Sequence, residues 1–435
     1  MKKTLLTLTA VTLTTIALGS CGGPKIDDTV EAVETTPINV WATAAEQPVL
    51  EKVVADWNAA QKTDATKFNV TFTAVSEADC GATLGKDPTV EGAPALFLVA
   101  DDQIASLVSK NIISEIKGER KEKIINRTTE VAVAGATMED KLYGYPVTSD
   151  NGYFLWYNDE LLPQDKIGSL EAILAHAKAN NKKFLMDVPN GWYVNSFIMS
   201  PDACGTSSLA WRNDANGNKV YDTTWDNEVG VKVSEYIQSL LAPYYADGTL
   251  ITGSNPEIAA GFADKSLVGA VSGTWMENDL LKSTGDHLKA SKLPTYTIDG
   301  KAYQMASFTG SKVYCLNKTR PVAEQKTAAA LAELLTTKES QLVRFEERQS
   351  LPCHVEAAVD PRYTEHVTIG GKALLEQNAY ACVQSKTAED RYWDVGATIG
   401  NAYLGLAKLE DAEGNELTWA QFLKNQMDSL RKPLA

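Results

Sequence analysis

Four short stretches set an indole or a phenol beside acids and amides. They are Asp150-Asn151-Gly152-Tyr153, Asn190-Gly191-Trp192-Tyr193-Val194-Asn195, Gly273-Thr274-Trp275-Met276-Glu277-Asn278 and Asp390-Arg391-Tyr392-Trp393-Asp394. A flat aromatic ring offers apolar area, and the neighbouring carboxylates and carboxamides offer directional acceptors and donors. Together they suit a ligand with a C–H face and a rim of hydroxyls, which is the chemistry of a saccharide. A single aromatic residue is more often core than ligand contact. Four such clusters, drawn from nine Trp and sixteen Tyr, point towards binding.

Catalytic signatures are missing by comparison. The four histidines, His176, His287, His354 and His366, stand far apart, and the chain has no HExxH, GxSxG or GxxxxGK[ST] motif. Asp214-Ala215-Asn216-Gly217-Asn218 resembles the start of a calcium loop, but Trp225 occupies the position of the closing glutamate, so a hairpin turn is expected there. Past residue 21 the cysteines are Cys80, Cys204, Cys315, Cys353 and Cys382, an odd number without a CxxC pair or zinc spacing. No catalytic residue, metal or cofactor is expected.

The elements that must position these clusters alternate strand and helix. Ile38–Ala42 reads as a strand, and Val49, Leu50, Val53, Val54 and Trp57 share one helix face. Phe68, Val70, Phe72 and Ala74 alternate as in a half-buried strand, and Ala95–Val99 is an apolar run suited to a central parallel strand. The alternation resumes with strands at 154–157, 183–187, 269–272 and 312–316, with helices at 170–179, 229–241 and 322–336, and a helical tail over 390–409 and 417–430. This predicts an α/β fold with parallel sheets covered on both sides. Ligands of such sheets bind at the loops after the strands' carboxyl ends.

Lys2 and Lys3, the apolar run Leu5–Leu18, and Leu18-Gly19-Ser20-Cys21 have the layout of a secretory signal. The last four residues resemble the lipobox of bacterial lipoproteins, which implies a signal peptide over 1–20 and lipidation of Cys21, with a flexible tether to residue 36. Of the residues, 44% are hydrophobic and 22% charged, a balance that suits a globular protein and excludes disorder as its main state. The formal charge is −15, and −17 once the two lysines of the signal are removed. An acidic chain without a basic cluster excludes nucleic acid as partner.

Leu142 to Asn158, reading LYGYPVTSDNGYFLWYN, resembles the first crossover of family 1 extracellular solute-binding proteins, the maltose/maltodextrin-binding type of receptor for ABC importers. Further likenesses follow in order: Ala95 to Ile116, Gly191-Trp192-Tyr193, Gly273-Thr274-Trp275, Leu293-Pro294-Thr295 as a second crossover, Phe308-Thr309-Gly310-Ser311 as the return to the first lobe, and Arg391-Tyr392-Trp393. The resemblance implies a type II periplasmic-binding-protein-like fold of two lobes. One lobe would hold 37–148 plus 303–355 and the other 149–302 plus 356–435, with hinges near 147–150 and 293–297. On the same resemblance Asp102 is an acidic hydroxyl ligand, and Gln103 stands where the pattern often has arginine. Glu46 lies in the loop after the first strand. Asp150 is near the crossover's acidic contact, with Asn151 as its alternative because the stretch holds one residue extra. Trp192 or Tyr193, Trp275 and Trp393 match stacking platforms.

The implied function is a monomeric, lipid-anchored receptor on the outer face of the cell membrane. It would deliver an oligosaccharide of maltodextrin type to an importer's permease subunits. The rival readings are the same fold binding a peptide or polyamine, and a surface glycosidase.

Overall fold

The computed structural model describes residues 30–199, 211–383, 390–411 and 413–433. The signal segment, Cys21 and Cys204 lie outside the described residues. Two five-stranded sheets organise the chain. The first has the order Val70–Ala74, Ile38–Ala42, Leu96–Ala100, Lys312–Leu316, Tyr145–Pro146. The second has the order Leu250–Ile251, Lys183–Leu185, Leu267–Ser272, Phe154–Asn158, Leu288–Ser291.

Each sheet departs from the expected all-parallel pattern in the same way. Three neighbouring strands are parallel, and the fourth runs against them: Lys312–Leu316 beside Leu96–Ala100, and Phe154–Asn158 beside Leu267–Ser272. In both cases the reversed strand is the first after the chain crosses from the other lobe, so it enters from the cleft side. The apolar run behaves as its composition dictates, with Leu96, Phe97, Leu98 and Val99 fully buried.

The return to the first lobe comes later than the sequence reading places it. Thr295–Ile298 and Lys301–Gln304 form a hairpin. Its Tyr296 stacks on Tyr303 at 5.4 Å and meets Phe197 and Tyr236, all within the second lobe's packing. Residues 293–297 are therefore not a crossover, and Tyr303, Met305, Ala306 and Phe308 belong to the second core. The backbone leaves that lobe after Ser307–Thr309, which still pairs with Ala381–Val383.

The remaining boundary, near 355, is also blurred, because Leu342, Phe345 and Leu351 already belong to the same core cluster as Phe154 and Trp156 of the second sheet. Buried Gln341 ties two crossovers together: its amide nitrogen donates to Pro146 O at 3.3 Å, and its oxygen accepts from the Cys353 and His354 amides at 2.8 Å each. Among the described residues no helix is long and apolar enough to cross a membrane.

Candidate functional site

A cavity of about 490 Å³ opens between the lobes, lined by Glu77, Asp102, Asn151, Asn190, Trp192, Asn255, Trp275, Lys312 and Trp393. Its two walls differ in kind. Glu77, Asp102 and Lys312 come from the first lobe, and Asn190, Asn255 and the three indoles from the second. Asn151 comes from the crossover that joins them.

The charged wall is built at strand ends. Ser76 caps the helix Glu77–Lys86 by accepting from the Asp79 amide at 3.1 Å, which puts Glu77 in the first turn just past Val70–Ala74. Asp102 sits on the short turn after Leu96–Ala100. That turn is held to the crossover by buried Asp101, whose carboxylate accepts from the Ser311 amide at 3.1 Å. Burial, with Glu77 nearby, pushes the Asp102 carboxyl up to about 6, although two backbone amides pull the other way. Lys312 reaches Glu77 across 3.2 Å. Burial alone would lower its pKa, but the charges of Glu77 and Asp150 outweigh it and raise it.

The aromatic wall is a packed cluster. Trp192 stacks nearly parallel to Phe308 at 6.2 Å, lies 6.0 Å from Trp275, and meets Tyr153 edge-on at 4.6 Å. Tyr153 donates to Trp192 O at 3.0 Å, and the Trp192 amide donates to Asn190 Oδ1 at 2.9 Å, so the loop is fixed from both sides. Trp275 is 38% exposed, and its indole nitrogen donates to Asn255 Oδ1 at 3.3 Å, which orients the ring. Trp393 packs against Phe308 at 5.9 Å. Gly191 brings the two indole-bearing segments together, because a Cβ there would sit 2.3 Å from Trp393 O.

Of the residues the sequence pointed to, Asp102, Asn151, Trp192, Trp275 and Trp393 line the cavity together, whereas Glu46, Gln103, Asp150 and Tyr193 do not. Glu46 is fully buried and engaged by Arg344 at 3.1 Å, by Arg348, and by the Tyr314 hydroxyl at 3.4 Å. A carboxylate neutralised in the interior by two guanidinium groups has no free edge for a ligand. Gln103 donates to Glu77 O at 3.3 Å and lies against Gly81, so it supports the helix that carries Glu77. Asp150 is buried behind Lys312, and Tyr193 backs Trp192 at 5.0 Å.

Sequence reasoning missed Glu77, Asn190, Asn255 and Lys312 as lining residues. Glu77 was findable, since it follows a parallel strand's carboxyl end, and Asn190 stood within a stretch already singled out. Asn255 and Lys312 gave no local signal. Among the described residues no group of three His, Cys, Asp or Glu side chains gathers to hold a metal ion. Cys80, Cys315, Cys353 and Cys382 are free and buried, which pushes the Cys80, Cys353 and Cys382 thiols up to about 12.

Residues 52–370 match the profile of the family described as bacterial extracellular solute-binding protein. No curated protein matches the sequence significantly. Among solved structures, the chain resembles the maltodextrin-binding protein MalE1 of L. casei BL23, solved without ligand, at 20% identity and a TM-score of 0.73, covering 92% of this chain and 99% of that one. It resembles the GacH receptor of Streptomyces glaucescens at 16% identity and a TM-score of 0.71, covering 92% and 98%. The maltotriose-binding protein of Thermus thermophilus is similar at 16% identity and a TM-score of 0.69, covering 91% and 99%. At these identities the structural likenesses establish the two-lobe type II fold, and the match of residues 52–370 goes further: the chain belongs to the bacterial extracellular solute-binding proteins.

Proposed function

We propose that the protein is a receptor for a neutral oligosaccharide of maltodextrin type, which it captures between its lobes and hands to the permease of an ABC importer. The observation that carries this reading is the pairing of three indoles on one wall with carboxylates and an ammonium on the other. Indoles cover the C–H faces of sugar rings, and the charged groups take up the hydroxyl rim. Three stacking positions suit two or more rings. The family supports solute binding outside the cytoplasm, and the structural neighbours named for maltodextrin and maltotriose favour α-glucans as first candidates. Lipidation of Cys21 would tether the receptor to the membrane beside its permease. Capture would close the lobes about 147–151 and the return crossover at 309–311.

Binding without turnover is the favoured reading because Glu77 and Asp102 both stand on the first-lobe wall. A glycosidase needs two carboxyl groups flanking the scissile bond.

The test is a thermal-shift panel on the protein from Gly22 onward, holding malto-, cello-, xylo- and manno-oligosaccharides, monosaccharides, peptides and polyamines. A true ligand at a hundredfold excess over Kd stabilises by about 2.7 kcal/mol. A shift with maltotriose or its longer homologues, lost in Trp275→Ala, is expected. A shift with a peptide or polyamine alone would sink the carbohydrate reading.

A further inference from the structure

Among the described residues that line the cleft, Lys312 is the only ammonium, and its position is fixed by the backbone around it. It is the first residue of the strand Lys312–Leu316, directly after the return crossover. Its backbone is pinned to the other crossover: the Val147 amide donates to Lys312 O at 2.9 Å, and the Lys312 amide donates to Thr148 Oγ1 at 3.2 Å. Its side chain is 16% exposed and faces Glu77, 19% exposed, at 3.2 Å. Asp150, buried behind it, adds a second negative charge. An ammonium carries three N–H donors and Glu77 takes at most one or two, while a carboxylate has about four acceptor sites. Paired in this way, the two groups keep a donor and an acceptor side by side at the cavity surface.

We propose that Glu77 and Lys312 read two neighbouring hydroxyls of the bound sugar, Lys312 donating to one oxygen and Glu77 accepting from the other. The inference rests on the saccharide reading above and narrows it. The ring at this subsite must carry both hydroxyls and no carboxylate, because a uronate there would face Glu77 and Asp102. An ion pair that only bolted the helix Glu77–Lys86 to the strand would hold up the melting temperature and contribute nothing to ligand choice.

The experiment is calorimetric titration of maltotriose and of its series of singly deoxygenated analogues into wild type, Lys312→Met, Glu77→Gln and Lys312→Arg, with melting of each unliganded protein. Lys312→Met is expected to weaken maltotriose about tenfold or more, as loss of a charged hydrogen bond does. One deoxy analogue should bind wild type comparably weakly and lose nothing further in the variant. Lys312→Arg should recover part of the affinity.

Binding of maltotriose by Lys312→Met within about twofold of wild type overturns the proposal. So does an equal loss for every analogue together with a lowered melting temperature, which marks a structural bolt. If Lys312→Met does not fold, Glu77→Gln decides by the same criteria. Failure of wild type to bind any saccharide overturns the function reading and this inference with it, whereas wild-type binding unaffected by either substitution overturns this inference alone.

Discussion

The two walls of the cleft differ in chemistry and in how they are supported. The second-lobe wall offers area: Phe308 braces Trp192 and Trp393, Tyr153 also meets Trp192, and Trp275 lies 6.0 Å from Trp192, and rings tolerate small displacements of what lies on them. The first-lobe wall offers direction: Glu77, Asp102 and Lys312 would act on a ligand through hydrogen bonds, whose strength falls quickly with angle and distance. It therefore needs a stiffer foundation, and the buried group of Glu46, Arg344, Arg348 and Tyr314 beneath it supplies one. On the proposed function, the indole wall would set how much sugar is covered, and the charged wall which sugar.

The largest expected effect comes from breaking the foundation of the charged wall. Glu46→Ala leaves Arg344 and Arg348 buried without their counter-charge and should cost about 3–5 kcal/mol of stability, measured by denaturant unfolding. Were Glu46 a ligand contact instead, the variant would keep its stability and lose affinity.

On the opposite wall, Gly191→Ala forces a Cβ into the Trp393 backbone, which cannot yield as a side-chain tip can. A loss of about 1–3 kcal/mol is expected, with weaker sugar binding because Trp192 and Trp393 separate. Unchanged melting and unchanged affinity would mean that the aromatic wall does not depend on that contact.

The smallest effect sharpens the contrast through pH. Asp102 titrates near 6 in the folded protein, above its ordinary value of 3.8, because burial penalises its charge. Between those values the folded state keeps a proton that the unfolded chain has lost, so stability falls as pH rises through the window, and the penalty is complete above about pH 6. Asp102→Asn should stabilise the unliganded protein more at pH 7.5 than at pH 5, by about 1 kcal/mol once partial exposure is discounted, as measured by denaturant unfolding. Sugar affinity of wild type should weaken below pH 6, and that dependence should vanish in the variant. An equal gain at both pH values would count against a raised Asp102.

Much of the architecture was legible in local patterns. The strand Ile38–Ala42, the buried run at Leu96–Ala100 and the helix Gln47–Ala60 follow from hydrophobic period, which is written residue by residue. The aromatic loops were legible too, since three of the four stretches that pair rings with amides and acids supply the indoles of the cleft. The charged wall was read less well. Glu46 and Glu77 are chemically the same residue at the start of a helical segment after a strand, and nothing within ten residues of either tells which one faces solvent.

Sequence by itself determined most element types, the acidic character of the chain, and the segments rich in stacking rings, because propensity, charge and period are local properties. Tertiary structure alone decided that Arg344 and Arg348, some 300 positions away, claim Glu46, that 295–304 folds back into the second lobe, and that Lys312 arrives beside Glu77. The physical reason is that a buried charge is placed by the partner that neutralises it, and a reversed strand by the lobe it leaves. Both are contacts between distant parts of the chain that no local pattern encodes.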